Sequence, residues 1–195
     1  MDGTDTVFFV AKDQVPRDRI KNVTYGQILV DYRPQKDKPH RTRLTVGGDL
    51  ICYSGYVRTP TADIITSNII INSNIPMSGA RYMFCDIKNF FLEILLIRYE
   101  YIKIPIDVIP EEIILEYNLM SLAHNGYVYC EIWKLMCGLP QAGIFSNKQL
   151  VQQLETKGYA PCKDTPGLQR SKWVPISFSL VVDNFGVKYV EKQHA

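Results

Sequence analysis

Two aspartates stand directly after short apolar runs. Asp86 follows residues 82–85 and Asp183 follows residues 178–182. A carboxylate at the end of a buried strand is held rigidly, and two such strands side by side would present two carboxylates to one site. Paired carboxylates can hold two Mg²⁺ ions about 3.5–4 Å apart, the arrangement that catalyses phosphoryl and nucleotidyl transfer. The alternative is that each Asp simply ends a strand at a turn, where Asp is common.

A second group of candidate functional residues forms a local excess of positive charge in a chain whose net charge is only +2. This basic strip contains a single acid, Asp37, among Arg33, Lys36, Lys38, Arg41 and Arg43. Such a strip can bind phosphate groups, on a nucleic acid or on a nucleotide. It can equally be a solvated loop.

The five cysteines, at positions 52, 85, 130, 137 and 162, form no C-x-x-C pair. Since a structural zinc site needs four closely spaced ligands, we expect reduced, partly buried thiols in an intracellular protein, cytoplasmic or nuclear. The chain contains no apolar run of 18 residues, so we expect no membrane span. With Asp2 and Asp5 before only a short apolar patch, the start is unlike a signal peptide.

The elements that must position these residues follow from hydrophobic periodicity and turn formers. Residues 1–40 are predicted to be an irregular segment, because prolines and charge interrupt it. Residues 41–57 predict a hairpin that turns at Gly47-Gly48-Asp49. A helix is expected from the Thr59–Asp63 start signal to about Asn74, followed by a buried strand over residues 81–87.

The second half of the chain predicts short helices near residue 88 and over residues 110–117, and strands over 99–105 and 127–134. A longer helix is expected from Leu139 to about Lys157, with Gly158 as its C-terminal cap. Three strands over 166–173, 175–182 and 186–190 complete the pattern, with a turn at residues 183–185. This order favours an α+β fold, an antiparallel sheet with helices packed on one face.

Several segments, in this order, resemble the reverse transcriptases of copia-type retrotransposons. Residues 43–48 (RLTVGG) are similar to the fingers hairpin of that family, and residues 59–71 to the helix that follows it. Residues 85–92 (CDIKNFFL) resemble the first polymerase motif, Asp-x-Lys-x-x-Phe-Leu. Residues 137–142 (CGLPQA) resemble Tyr-Gly-Leu-x-Gln-Ala, and residues 180–184 (LVVDN) resemble Tyr-Val-Asp-Asp.

The resemblance implies an RNA-directed DNA polymerase, with a palm and partial fingers over residues 41–195. In this family Asp86 and Asp183 would be catalytic and, with Asn184, would bind two Mg²⁺ ions. The incoming deoxynucleotide would be contacted by Lys88, Phe91, Arg41 and Arg43, and Gln141 would contact the nucleotide or the template. Phe91 would exclude a ribose 2′-hydroxyl, unless it is an ordinary core aromatic. The implied partners are a primed RNA or DNA template and dNTPs, with no membrane; the oligomeric state is left open.

The third motif departs from the family pattern. Asn184 stands where the family has a second acid, and Val181 stands where it has Tyr. An amide oxygen is a weaker Mg²⁺ ligand than a carboxylate. We therefore expect weak or absent polymerisation. Because Ala195 lies 12 residues after Asp183, we also expect a truncated enzyme without thumb and RNase H domains.

Two other functions fit the residues. The chain could be a catalytically dead, nucleic-acid-binding remnant of a retroelement, in which the basic strip still binds phosphates. It could also be an unrelated α+β enzyme with Cys85 or Cys137 as nucleophile, although no histidine-based activation pattern accompanies either thiol.

Overall fold

The computed structural model describes residues 5–194; Met1–Thr4, with Asp2 of the signal-peptide argument, and Ala195 lie outside them. The fold is mixed α/β, with two antiparallel-rich sheets and few helices. The strands are β1 Val7–Val10, β2 Thr24–Tyr32, β3 His40–Val46, β4 Arg81–Asp86, β5 Leu95–Pro105, β6 Tyr127–Lys134, β7 Tyr159–Pro161, β8 Leu168–Ser171, β9 Ser177–Val181 and β10 Asn184–Tyr189. The α-helices are α1 Ile64–Asn72, α2 Glu111–Glu116, α3 Leu119–Leu122 and α4 Ala142–Thr156. No helix within residues 5–194 is both long and apolar enough to cross a membrane.

The chain divides into two compact units, each assembled from two separate stretches. The first unit combines the described residues up to Gly55 with Phe91–Ala142. The second unit combines Tyr56–Phe90 with the described residues from Gly143 onward. Each unit contains one five-stranded sheet. This differs from the single sheet expected from the sequence, because periodicity identifies strands but not their neighbours.

The sheet of the first unit has the order β1-β6-β5-β2-β3. All pairs are antiparallel except β2 with β5, which is parallel. Its core lies along the two long central strands, where Ile102, Ile104, Val128 and Ile132 are almost fully buried. Alternation of side chains along a strand places these residues on the core face.

A buried ion pair also belongs to this unit. Arg19 Nη2 lies 2.5 Å from Glu100 Oε2, and both side chains are only 9% exposed. Burial raises the pKa of the Glu100 carboxyl, and the Arg19 charge opposes that shift without overcoming it. Removing either partner would therefore leave a buried charge without compensation.

The sheet of the second unit is fully antiparallel, in the order β4-β10-β9-β8-β7. Its core cluster contains Phe178 and Val187, which are cross-strand partners, and Leu154 of α4 packs against it. The next residue of β10, Lys188, must point to the opposite face. Its ammonium group donates hydrogen bonds to Ser73, the C-cap residue directly after α1. Helices thus lie on both faces of this sheet, so the prediction of helices on one face is wrong.

Two further predictions from local pattern are wrong. Residues 1–40, expected to be irregular, contain β1 and β2, because two apolar runs there complete the first sheet. Residues 41–57 do not form a hairpin of their own: β3 pairs with the preceding strand β2, and residues 48–50 form a 3₁₀ turn instead of a strand connection. No strand forms over residues 50–53, where the sequence predicts one, and β3 remains an edge strand paired with β2 alone.

Most other predicted elements are confirmed within one to four residues. β6 begins and ends where the sequence predicts, and α1, α2 and α4 lie inside their predicted ranges. Asp63 caps α1 by accepting a hydrogen bond from the Thr66 backbone N–H at 2.6 Å. Gly158 follows α4 with φ +80°, a conformation that favours glycine at a helix end.

Candidate active site

Asp86 is the last residue of β4, an edge strand of the second unit. The strand was expected to be buried, but Phe84, Cys85 and Asp86 are all exposed. An edge strand has a neighbour on one side only, so its end is open to solvent. Asp86 therefore projects a solvated carboxylate from a hydrogen-bonded backbone.

Asp183 lies in the two-residue turn that joins β9 to β10. Its carbonyl oxygen accepts a hydrogen bond from the Ile87 backbone N–H at 2.9 Å. The preceding turn residue, Val182, has φ +57°. A β-branched residue is a genuine outlier in this region, where glycine or asparagine is usual in tight hairpins. The turn is thus strained next to its carboxylate, and backbone strain of this kind clusters at functional sites.

The register of β4 and β10 places Asn184 directly opposite Asp86. Because Ile87 and Asp183 form a hydrogen-bonded pair beyond the strand ends, the adjacent pair of Asp86 and Asn184 is non-hydrogen-bonded. Pairs of that kind bring their side chains together on one face, with Cα atoms about 4.5 Å apart. Asn184 Nδ2 also donates a hydrogen bond to Asp183 Oδ1 at 2.8 Å. The structure therefore brings Asp86, Asp183 and Asn184 together at one end of the sheet.

This acidic end offers two carboxylates and one amide as potential metal ligands. No group of three or more His, Cys, Asp or Glu side chains within residues 5–194 is arranged to hold a metal ion. Mg²⁺ commonly binds through one or two carboxylates and completes its octahedral shell with water and substrate phosphates. The donor set thus fits one such ion, whereas a second would depend on the neutral Asn184 oxygen. Among the described residues, no Lys or Arg forms an ion pair with either carboxylate.

The other predicted site residues are distributed over both units. Lys88 is exposed and lies two residues after Asp86 in the second unit. Phe91 is half-buried in the 3₁₀ turn Phe90–Glu93, at the start of the first unit's second stretch. Arg41 and Arg43 are exposed on β3 of the first unit, where Arg43 Nη2 lies 3.9 Å from Asp31 Oδ2.

Gln141 lies in the first unit, immediately before α4, and only 3% of its surface is exposed. Its Oε1 atom is buried and has no hydrogen-bond partner among the described residues. A buried amide oxygen without a donor is costly. In this conformation the Gln141 amide is buried and offers no surface contact to a nucleotide.

The first unit also brings two of the motif segments into contact with each other. The Val46 backbone N–H donates to the Cys137 carbonyl at 3.0 Å. Gly138 has φ +99°, and a Cβ atom there would collide with the Val46 backbone; a Cβ atom on Gly48 would collide with the Gly138 carbonyl. Glycine is therefore required by both conformation and space at Gly138.

Sequence patterns missed two features of the second unit. The strained Val182 was not anticipated, although a valine within a predicted turn is itself an unusual choice. The pairing of Asp86 with Asn184 was also missed, because it depends on strand neighbours. The basic residue Lys188, which stands between Val187 and Tyr189 in β10, could have drawn attention to a polar feature on the second face of the sheet.

The chain matches no protein-family model and no curated protein.

Proposed function

We propose that this chain carries the palm of a copia-type reverse transcriptase, an RNA-directed DNA polymerase, with weak or absent catalysis. The observation that supports it best is the strand order β4-β10-β9, which places the first-motif Asp86 beside the third-motif Asp183 and Asn184. Two carboxylates at neighbouring strand ends are what nucleotidyl transfer through metal ions requires. The partial fingers would lie in the first unit.

In this proposal Asp86 and Asp183 hold Mg²⁺ at the acidic end. When bound, the metal would supply charge stabilisation for the attacking 3′-hydroxyl and the leaving pyrophosphate. The two carboxylates position the ion, and their backbone is fixed by the β4–β10 ladder and by the Ile87–Asp183 hydrogen bond. Lys88 extends from the same unit and could contact a nucleotide phosphate.

Asn184 accounts for the expected weakness. Its Nδ2 group donates a hydrogen bond to Asp183 Oδ1, and its side chain carries no negative charge. The site therefore carries about one charge less than a three-carboxylate site would. We expect metal binding and catalysis to be reduced together, since both depend on that charge.

Primer extension on poly(rA)/oligo(dT) with dTTP, in Mg²⁺ and separately in Mn²⁺, tests this function. We expect little or no dTMP incorporation by the natural chain and measurable incorporation by Asn184→Asp. Asp86→Asn in the Asn184→Asp background should abolish the activity. Vigorous synthesis by the natural chain would contradict the predicted weakness, and a silent Asn184→Asp variant would count against the polymerase itself.

A second function, a catalytically dead nucleic-acid-binding remnant, is favoured by the basic strip. Its residues lie on the arm formed by β2 and β3, and four of the five are exposed: Lys36, Lys38, Arg41 and Arg43. Cations on such an arm can bind backbone phosphates without any metal chemistry. Binding of a labelled oligonucleotide that falls steeply with salt, together with an inactive Asn184→Asp variant, would support this function instead.

A further inference from the structure

The second unit contains a cavity of about 470 Å³ that no motif accounts for. Every residue that lines it belongs to this unit. One wall is a single face of α1 and its continuation, since Thr66, Ile70, Ser73 and Met77 follow helical spacing. The opposite wall is the sheet face that carries Lys188. The volume is in the usual range for small-molecule sites, about 300–1,000 Å³.

The sheet wall presents a row of polar side chains across three strands. Arg170 pairs in register with Ser177, and Ser177 pairs with Lys188, so all three project to the same face. Neighbouring strands lie about 4.8 Å apart, so the backbones of Arg170 and Lys188 flank the serine roughly 10 Å apart, and both long side chains can reach toward the space between them. No acidic side chain is among the described residues that line the cavity.

Lys188 is half-buried and has only neutral partners in the described part of the chain. Its ammonium group donates to the Ser73 carbonyl oxygen and to Ser73 Oγ, each at 2.8 Å. An ammonium group has three donors, so one N–H remains for another acceptor. No ion pair between described residues involves Lys188 or Arg170. The cavity thus holds positive charge that the described protein does not neutralise.

The remaining lining is apolar. Ile70, Leu168 and Val190 contribute aliphatic surface, with Ile69, Met77 and Pro175 around them. Apolar walls with a few convergent polar groups are typical of a small-molecule site. A ligand that satisfies both parts needs one anionic head and one apolar body.

We propose that this cavity binds a small amphiphilic anion, with a carboxylate or phosphate head group held by Lys188 and Arg170. The apolar body packs between α1 and the sheet. Lys188 gives the stronger contact because its position is fixed by Ser73, whereas Arg170 is exposed and closes over the head group. The site is independent of the acidic end and of the polymerase proposal.

Isothermal titration calorimetry on the full chain with octanoate, octyl phosphate, 1-octanol and inorganic phosphate tests the site. We expect saturable binding of octanoate and octyl phosphate, and binding of 1-octanol and inorganic phosphate at least about tenfold weaker, since each has only half of the recognised chemistry. The tighter of the two anions identifies the head group. Octanol binding as tightly as both anions would overturn the charge requirement, and the absence of saturable anion binding would overturn the site.

Variants locate the binding in the cavity. Lys188→Met should weaken binding of the preferred anion about tenfold or more, because a charge-assisted hydrogen bond is lost, and Arg170→Gln should weaken it about threefold. Lys172→Met removes an exposed lysine that does not line the cavity and should change nothing. If Lys188→Met does not fold by circular dichroism, Lys188→Arg, which retains the charge, and Arg170→Gln provide the test. Unchanged anion affinity in folded Lys188→Met, or in Arg170→Gln where Lys188→Met does not fold, would overturn the proposal.

Discussion

Replacing Asn184 by Asp is the change that tests the acidic end most directly. The new carboxylate would lie opposite Asp86 and next to Asp183. It would lose the 2.8 Å hydrogen bond from Asn184 Nδ2 to Asp183 Oδ1, because a carboxylate has no donor. Without metal, Asn184→Asp should therefore be less stable than the natural chain.

The size of this loss follows from the geometry. Opposite side chains of an antiparallel pair have Cβ atoms about 5 Å apart, where two like charges repel by roughly 0.8 kcal/mol in water. Two such repulsions, together with the loss of an exposed hydrogen bond worth about 0.5 kcal/mol, cost about 2 kcal/mol. For a chain of this size we expect the melting temperature to fall by about 4–8 °C in EDTA.

Magnesium should recover most of this loss. If three carboxylates bind Mg²⁺ with a Kd near 1 mM, then about 10 mM Mg²⁺ stabilises the folded state by roughly 1.4 kcal/mol. The natural chain, with two carboxylates, should gain clearly less. Thermal unfolding followed by circular dichroism, in EDTA and in Mg²⁺, measures both effects.

Asn125→Asp is the matched control, because it adds the same charge at an exposed turn of the first unit. It should alter neither the melting temperature in EDTA nor the response to Mg²⁺. Behaviour of Asn184→Asp like that of this control would refute the close approach of the three side chains at the acidic end. Destabilisation without a response to Mg²⁺ would instead show that the carboxylates lie close together but do not form a metal site.

Three further predictions concern the framework. Val182→Gly should raise the free energy of unfolding by about 1 kcal/mol in urea denaturation, since glycine accepts a positive φ without strain. Gly138→Ala should destabilise by more than about 3 kcal/mol, because its methyl group would collide with the Val46 backbone, whereas Gly126→Ala, also at positive φ but with open space around it, should cost only about 1 kcal/mol. Burial, followed by a neighbouring carboxylate, raises the pKa of Tyr101 from 10.0 to about 12. The folded state therefore retains this proton more firmly than the unfolded state, and stability should fall as pH rises from 10 to 12. Tyr101→Phe should show a smaller loss in urea titrations over that window, and an equal loss would contradict the assignment.

The sequence by itself determined most of the elements and the residues worth testing. A short apolar run predicted β4, alternation of side chains predicted β5, and cap and glycine signals predicted α1 and the end of α4. These features depend on interactions between residues close in the chain, which a local pattern records. The strand-end position of Asp86 and the turn position of Asp183 belong to the same class.

Only the tertiary structure decided which strands are neighbours. The failed hairpin after β3 and the pairing of β3 with β2 illustrate this, because a local pattern marks a strand without specifying its partner, which packing selects. The same choice put β10 beside β4 and so placed Asn184 opposite Asp86. It also turned Lys188 toward α1, on the face away from Leu154. The acidic end and the cavity both depend on the long-range register of the strands. This register is stabilised by the packing of the whole sheet and not by interactions within any local segment.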